Sequence, residues 1–314
     1  MTTETIKLAA AIRRRLPSVA RELAVDQVRQ ASLATSTKTV ASPSIWQDDK
    51  TRFLAEGQRY WAYLAEIDKW QGRLKNNARN HQKAVLDEEE DLMVSIRKPD
   101  KDAKIYTEGD VIDIAQDVLI NPVMICVKSL FRDLTIRKRR EKNSKHGRTD
   151  IVWEVHQEGT DANDAENWIE CAIFEFKNTN IIKPEHFAEA RLGRRDKVGA
   201  TLTREEMEYQ AKKSPNRTLM KYNAVILSKQ ARKYAARTPY VALFDWDTMA
   251  LFDFSDTNHQ SEEPICPRLS LFSERDVDDN KAGKDNGQTH CMYLFGFLAH
   301  AITERMGYDM KNPI

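Results

Sequence analysis

The chain lacks the features that mark secreted, membrane-spanning or uniformly basic proteins. Its 314 residues include four cysteines with no CxxC pair and no short repeated spacing, so we expect free thiols and a reducing compartment. No run of about 18 apolar residues occurs, and no membrane-spanning helix or membrane partner is predicted. The first residues lack the apolar stretch of a secretion signal, which indicates an intracellular protein, nuclear or cytoplasmic.

An excess of one charge is also missing. The 49 Lys and Arg residues nearly balance the 48 Asp and Glu residues, giving a net charge of +1. This balance excludes a general basic coat for nucleic acid but leaves local basic patches possible. The hydrophobic fraction of 41% and the charged fraction of 31% are typical of a globular protein with polar surface helices.

The pattern along the chain predicts three parts. Residues 1–45 contain a predicted N-terminal helix (4–30) and a linker rich in small polar residues. Residues 46–104 form a helical extension with apolar residues at steps of three and four from Trp46 towards Val94. We expect this stripe to pack on the main domain, although a homodimer through N-terminal helices is an alternative. Residues 105–314 form the main domain.

The sequence pattern of the main domain predicts an α/β fold of the α+β type, with a central mixed sheet flanked by helices. A first helix is disrupted at Asn121-Pro122, because proline removes a helical hydrogen bond. The other helices and strands are predicted from the periodicity of apolar residues and from the turn residues between them. The predicted helices are 110–130, 204–213, 219–236 and 291–306, the predicted strands are 134–137, 149–156, 168–177 and two within 238–254, and 258–288 is predicted to be loop.

Two charged residues end a strand that is otherwise apolar. Glu175 and Lys177 are two residues apart, so they share one face of the strand. If the strand pairs symmetrically with the preceding one, Asp150 lies opposite Lys177, and Val152 opposite Glu175. The three charged side chains would then emerge together at one rim of the sheet.

Two neighbouring carboxylates repel each other, which favours a cation between them. Mg²⁺ takes hard oxygen ligands, often one or two carboxylates with water. Such an ion promotes phosphodiester hydrolysis, and an adjacent lysine can assist the attacking water or neutralise the phosphate. The constellation therefore predicts a metal-dependent phosphodiesterase.

The same residues resemble the signature of the PD-(D/E)XK nuclease superfamily. The segment Gly147-Arg148-Thr149-Asp150 is followed on the next strong strand by Glu175-Phe176-Lys177, and Gln230-Ala-Arg-Lys-Tyr234 precedes a further strand. Thr149 stands where the family usually has proline. The combination is most similar to the eukaryotic, especially fungal, nuclease-like members, and the match covers roughly 108–254.

The resemblance implies a restriction-endonuclease-like core and cleavage of DNA with Mg²⁺ or Mn²⁺. By this analogy Asp150 and Glu175 hold the metal, Lys177 assists the water and Gln230 positions the site. Several members use a further acid on the first helix, for which Glu108 and Asp113 are both candidates.

Basic residues surround the predicted site. The segment RKRREKNSKHGR (137–148) carries seven basic residues against one acid just before Asp150, and RLGRRDK (191–197) adds more. They are predicted to contact nucleic-acid phosphates, with a solvated hairpin loop as the alternative for the first segment. The predicted nucleic-acid contacts are Arg137, Lys138, Arg139, Arg140, Arg148, Arg194 and Arg195.

Two functional hypotheses follow. The first is a divalent-metal-dependent nuclease, expected to act on DNA. The second is a catalytically inactive nuclease-fold module that binds nucleic acid or another protein, since a fold can persist without its chemistry.

Overall fold

A computed structural model describes most of the chain and gives the bounds of its helices and strands. The described residues are 2–17, 19–21, 40–64, 93–98, 104–144, 147–157, 167–196, 198–257, 265–274 and 288–308. The described strands are β1 (Thr2–Lys7), β2 (Ala20–Arg21), β3 (Gln47–Asp48), β4 (Met93–Lys98), β5 (Lys104–Ile105), β6 (Leu134–Ser144), β7 (Gly147–Gln157), β8 (Ile169–Phe176), β9 (Tyr240–Phe244), β10 (Thr248–Asp253) and β11 (Arg268–Ser273). The described helices are α1 (Leu8–Arg13), α2 (52–64), α3 (Glu108–Ala115), α4 (Asn121–Leu130), α5 (Arg204–Lys213), α6 (Tyr222–Ala235) and α7 (His290–Met306).

The protein is α+β, with a mixed sheet of seven strands flanked by helices. The strand order is β3-β11-β10-β9-β8-β7-β6. The pairs β8–β9 and β3–β11 are parallel, and the other pairs are antiparallel. The predicted mixed sheet is therefore confirmed. Two small pairs, β1–β4 and β2–β5, stand apart from it.

Each face of the sheet is covered by helices and carries its own apolar core. The first face packs against α1, α2, α4 and α7, with Trp153 and Phe174 fully buried. The second face packs against α6, with Val152 and Ile173 fully buried. Because both faces are covered, the central strands read as nearly continuous apolar runs. In the described part of the chain, no helix has the length and apolar character needed to cross a membrane.

The α-helical hydrogen-bond pattern changes to π-helical just before Asn121-Pro122, but the predicted helix is not split there. Between α3 and α4 the backbone forms a π-helix over Gln116–Ile120, in which the Asn121 N–H donates to the Gln116 carbonyl. Pro122 has no N–H to donate to the Val118 carbonyl, which lies four residues earlier. That carbonyl instead accepts the Cys291 thiol at 3.4 Å. The α3–α4 helix therefore stays continuous and is tied to α7.

The prediction of helix over 4–30 is confirmed over α1 and is wrong for the described strand residues on either side of it. Only α1 is helical there, while β1 pairs antiparallel with β4. β-branched Thr and Ile recur in TTETIK, and the tertiary pairing overrides the helical pattern that follows. Residues 22–39 lie outside the described part. The loop predicted for 258–288 also contains β11, which the polar flanks conceal.

The helix predicted after Trp46 is confirmed over 52–64, and it packs on its own chain as expected. The Phe53 ring meets Phe297 of α7 edge to face at 5.2 Å. Gly57 and Gly296 lie where the two helices cross, and any larger side chain there would meet backbone. Residues 65–92 of the predicted helix lie outside the described part. The prediction is wrong at its end, because Met93–Lys98 is strand β4, which pairs with β1.

The Gly57–Gly296 crossing can be tested by adding one methyl group. A Cβ at Gly296 would lie 2.0 Å from the Phe53 carbonyl oxygen and 2.5 Å from the Gly57 nitrogen. We expect Gly296→Ala to lower the unfolding free energy by about 3 kcal/mol or more, because α2 and α7 must separate. Gly109→Ala is the control, since its Cβ meets only Thr107 Oγ1 at 3.4 Å. Chemical denaturation that shows equal stability for the two variants would contradict the close crossing.

A polar cluster joins α2 to the sheet and α7. Arg52 donates to Asp253 at 2.8 Å and to His300 Nε2 at 2.7 Å, and Arg268 also pairs with Asp253 at 2.9 Å. Because arginine only donates, His300 Nε2 accepts and the imidazole proton lies on Nδ1. Burial, reinforced by the charge of Arg52, lowers the pKa of His300 to about 4. The cluster therefore requires a neutral histidine.

This requirement predicts a pH dependence of stability. Unfolded His300 titrates near its ordinary pKa of 6.5, so the unfolded state binds more protons below that value. The stabilisation that neutral His300 gives to the folded state is complete above pH 6.5. It is lost as the pH falls towards the folded-state pKa of about 4. We expect the unfolding free energy to fall by about 2 kcal/mol from about pH 7 to about pH 5 through this group. His300→Gln keeps an acceptor without titrating, and denaturation at both pH values should show it lacking this component.

Candidate active site

The β7–β8 hairpin places Asp150 directly across from Glu175. Ile151 pairs with Phe174 and Val152 with Ile173, and continuation of this register brings Asp150 opposite Glu175. The predicted pairing of Asp150 with Lys177 and Val152 with Glu175 is therefore wrong by two residues. The prediction assumed that the two strands pair symmetrically from their ends, and they do not. A bulge between Trp153 and Glu154 shifts the register in the part of the hairpin beyond Trp153. A shift of two residues keeps every side chain on its face.

Hydrogen bonds between the two strands hold the carboxylates in place. The Phe176 N–H donates to Asp150 Oδ2 at 2.8 Å. The Asp150 N–H in turn approaches Glu175 Oε2 at 3.4 Å. Each acid is thus oriented by the backbone of the opposite strand, next to the other acid. The expected juxtaposition of the two acids is present.

Lys177 and Gln230 converge on one oxygen of Glu175. Lys177 Nζ donates to Glu175 Oε1 at 3.0 Å, and Gln230 Nε2 donates to the same atom at 2.8 Å. Glu175 is only 6% exposed, so these donors compensate a carboxylate that water hardly reaches. The structure thus brings together Asp150, Glu175, Lys177 and Gln230.

Helix α6 supplies a second residue to this group. Gln230 Nε2 also lies 3.0 Å from the Tyr234 hydroxyl, one turn further along α6. Burial, and then the charge of Glu175, raises the pKa of Tyr234. The hydroxyl therefore stays protonated at neutral pH and remains a donor. The Gln-x-x-x-Tyr spacing in the sequence reflects this one-turn separation.

Asp245 fixes the chain that follows Lys177, a role the sequence did not reveal. The Lys177 N–H donates to the Phe244 carbonyl at 2.8 Å, at the end of β9. The fully buried Asp245 accepts from the Ile182 N–H at 2.6 Å and from the Thr248 N–H at 2.9 Å. Burial raises the pKa of Asp245 to about 7. The sequence indicated only a turn at this Asp-Trp-Asp segment.

Neither candidate for a third acid joins the two carboxylates. Glu108 and Asp113 lie on α3, and Asp113 is exposed. In the ranges that the structure describes, no three His, Cys, Asp or Glu residues are grouped closely enough to bind one metal ion together. The acidic part of the site consists of Asp150 and Glu175.

The basic segment before Asp150 is mostly strand β6 and not a hairpin loop. Its residues alternate between the two faces of the sheet, as strand geometry requires. Arg137 and Arg139 both pair with the buried Glu154, at 2.8 and 3.6 Å. Lys138 donates to Asn121 Oδ1 at 2.9 Å and Arg140 to Gln116 Oε1 at 2.7 Å, on the other face.

The remaining predicted nucleic-acid contacts lie elsewhere. The backbone of Arg148 is in β7, but its side chain lies outside the described part. Arg194 donates to Gln210 at 3.0 Å, and Arg195 is exposed. Both follow Arg191, whose backbone bridges to Trp46 beside β3. They therefore lie towards the sheet edge opposite β6, and the predicted basic residues whose side chains are described form no single cluster.

The chemistry of the acidic pair fits Mg²⁺ or Mn²⁺. Asp150 and Glu175 offer hard oxygen ligands on one face, with neither sulfur nor imidazole grouped beside them in the described chain. Mg²⁺ commonly binds through one or two carboxylates and completes its shell with water and substrate phosphate. Two carboxylates are therefore sufficient for such an ion.

Comparison with known proteins adds no family to this description. No family model, no curated protein and no solved structure matches the chain. The geometry of the site and the residue pattern in the sequence are the features that bear on function.

The contribution of Gln230 to the site can be measured as stability. Gln230→Met keeps the length of the side chain but removes the donor to Glu175. We expect a loss of about 1 to 3 kcal/mol in unfolding free energy, because a buried carboxylate loses a partner. Gln210→Met on the exposed surface of α5 is the control, with a change expected within about 0.5 kcal/mol. Equal denaturation midpoints for the two variants would show that the Gln230–Glu175 contact has no energetic role.

Proposed function

We propose that this protein is a divalent-metal-dependent nuclease that hydrolyses phosphodiester bonds of DNA. The observation that carries the proposal is the convergence of Asp150, Glu175 and Lys177 at the end of one hairpin, with Gln230 donating to Glu175. Two oriented carboxylates beside an ammonium group form a polar site suited to an anionic phosphate.

The order of elements supports a restriction-endonuclease-like core as part of this proposal. A helix precedes three antiparallel strands; Glu175 lies at the end of the third, and Lys177 follows it directly. Helix α6 then leads into β9, which is parallel to β8. This order agrees with the core that the sequence resemblance implies.

Asp150 and Glu175 would hold the metal. Mg²⁺ or Mn²⁺ supplies Lewis-acid stabilisation of charge on the phosphate and makes the attacking water more acidic. The contact of Asp150 with the Phe176 N–H keeps that carboxylate aimed at Glu175. A pre-oriented pair of ligands reduces the reorganisation needed during the reaction.

Lys177 would act on the phosphate or on the attacking water. Its ammonium group lies 3.0 Å from Glu175 Oε1 and is partly exposed, so a substrate at the strand end can reach it. There it would neutralise charge on the phosphate or orient the water for attack. Gln230 and Tyr234 would hold Glu175 in position from α6.

Cleavage assays test this proposal. Purified protein is incubated with plasmid and linear DNA in Mg²⁺, Mn²⁺ or EDTA. We expect cutting with either metal and none in EDTA. Lys177→Ala and Asp150→Asn should reduce the rate by about 100-fold or more, as expected for groups that act on the transition state. Lys50→Ala, an exposed lysine beside β3, is the control that keeps the wild-type rate.

Two outcomes would overturn the proposal that the protein is a nuclease. One is a wild-type protein that never cuts either substrate, and the other is a Lys177→Ala variant that cuts as fast as wild type. Circular dichroism melting of each variant separates loss of chemistry from loss of fold. DNA binding without cutting would favour the inactive nucleic-acid-binding module.

A further inference from the structure

The positively charged side chains of strand β6 lie on two faces of the sheet, and their partners differ between the faces. Arg137 and Arg139 lie on the face that also carries Val152, while Lys138 and Arg140 lie on the face of Ile151 and Trp153. Alternation along a strand separates the four neighbouring cations into two pairs. The two pairs have different partners.

The first pair shares one buried carboxylate within the protein. Glu154 is 1% exposed and pairs with Arg137 at 2.8 Å and with Arg139 at 3.6 Å. The Arg137 guanidinium also lies 3.4 Å from the centre of the Trp168 ring. A buried carboxylate needs such partners, because an unpaired buried charge is strongly destabilising. These two arginines are therefore committed to the fold.

Among the described residues, the second pair has neutral hydrogen-bond partners. Lys138 and Arg140 donate to the amide oxygens of Asn121 and Gln116, and neither has an ion pair within the described chain. Burial lowers the pKa of Lys138 to about 8, with the charges of Arg140 and Lys128 acting in the same direction. The carboxylate of Asp117 acts in the opposite direction. Positive charge is thus in excess here, which favours an incoming anion.

We propose that Lys138 and Arg140, with the amides of Gln116 and Asn121, form a binding site for backbone phosphates of the nucleic acid. This assignment rests on the proposed nuclease function. Arg140 lies across from Ile151, the residue after Asp150. The cluster is therefore one strand away from the proposed cleavage site, about 5 Å in the hydrogen-bonding direction, on the opposite face.

The chemistry of the four side chains suits a phosphate chain. Two residues along a strand are about 7 Å apart, so Lys138 and Arg140 can engage different phosphates or two oxygens of a bent backbone. Arginine offers a planar fork for phosphate oxygens, and lysine a point charge. The π-helical turn that ends at Ile120 brings the Gln116 and Asn121 amides within 2.6 Å of each other. Their N–H groups can donate to phosphate oxygens after rotation of the amides.

Salt-dependent DNA binding tests the site independently of cleavage. Binding of a fluorescent duplex of about 20 base pairs is measured in EDTA between about 50 and 300 mM salt. We expect Lys138→Gln/Arg140→Gln to bind about tenfold more weakly and to reduce the slope of log affinity against log salt by about 1 to 2. Lys212→Gln/Lys213→Gln on α5 removes the same charge from exposed positions and should change the slope less.

Two further variants distinguish phosphate contact from effects on folding. Lys138→Arg/Arg140→Lys keeps both charges and should retain the wild-type slope. Arg137→Gln/Arg139→Gln should lower the melting temperature, because Glu154 loses its partners, and should leave the slope unchanged. A melting temperature for Lys138→Gln/Arg140→Gln equal to that of wild type would show that its weaker binding does not come from unfolding.

Three results would overturn the phosphate site. They are a wild-type slope in Lys138→Gln/Arg140→Gln, an equal loss in Lys212→Gln/Lys213→Gln, and a wild-type protein that does not bind the duplex. Failure of the nuclease proposal is distinguishable from these results. A protein that binds with the expected slopes but never cuts would retain this site, whereas one that cuts with unchanged slopes would lose it.

Discussion

The pairing of β7 with β8 is the constraint on which the candidate site depends. Buried pairs on both faces of the sheet, such as Ile151 with Phe174 and Val152 with Ile173, set this register. A slip of one residue would place apolar side chains in the site and turn Asp150 towards the first core. The energy that keeps two carboxylates adjacent therefore comes largely from hydrophobic contacts that contain no charge. The surrounding elements complete the arrangement: α6 brings Gln230 to Glu175 from the second face, and β9 holds the backbone of the residue that follows β8.

Much of the fold could be predicted from the sequence because its signals are local. The apolar runs of β7 to β10 and the periodicity of α5 to α7 identify these elements, which follow the ordinary patterns of strand and helix. The α5 helix, for example, carries its own capping box at Thr203, and α7 ends at Gly307 in the left-handed conformation. These features depend on neighbours in sequence, so a single chain reveals them.

The rest could not be predicted, because it depends on contacts between distant residues. The charged segment of β6 resembles a loop until Glu154 and the neighbouring strand are known to lie beside Arg137 and Arg139. The face shared by the two acids of the site follows from strand alternation, but their exact pairing follows from buried contacts and a bulge. The role of Asp245 depends on Ile182, 63 residues earlier.

The two outer strands of the sheet also bear on edge-to-edge association between copies of the chain. Open strand edges offer unpaired N–H and C=O groups to any other chain, which makes them sites of aggregation. One edge strand, β3, is only two residues long. The other edge strand, β6, carries Arg137, Lys138, Arg139 and Arg140 in succession. A second copy adding to β6 would bring like charges together across the new pair, which is unfavourable. The same basic strand therefore discourages edge-to-edge polymerisation of the sheet.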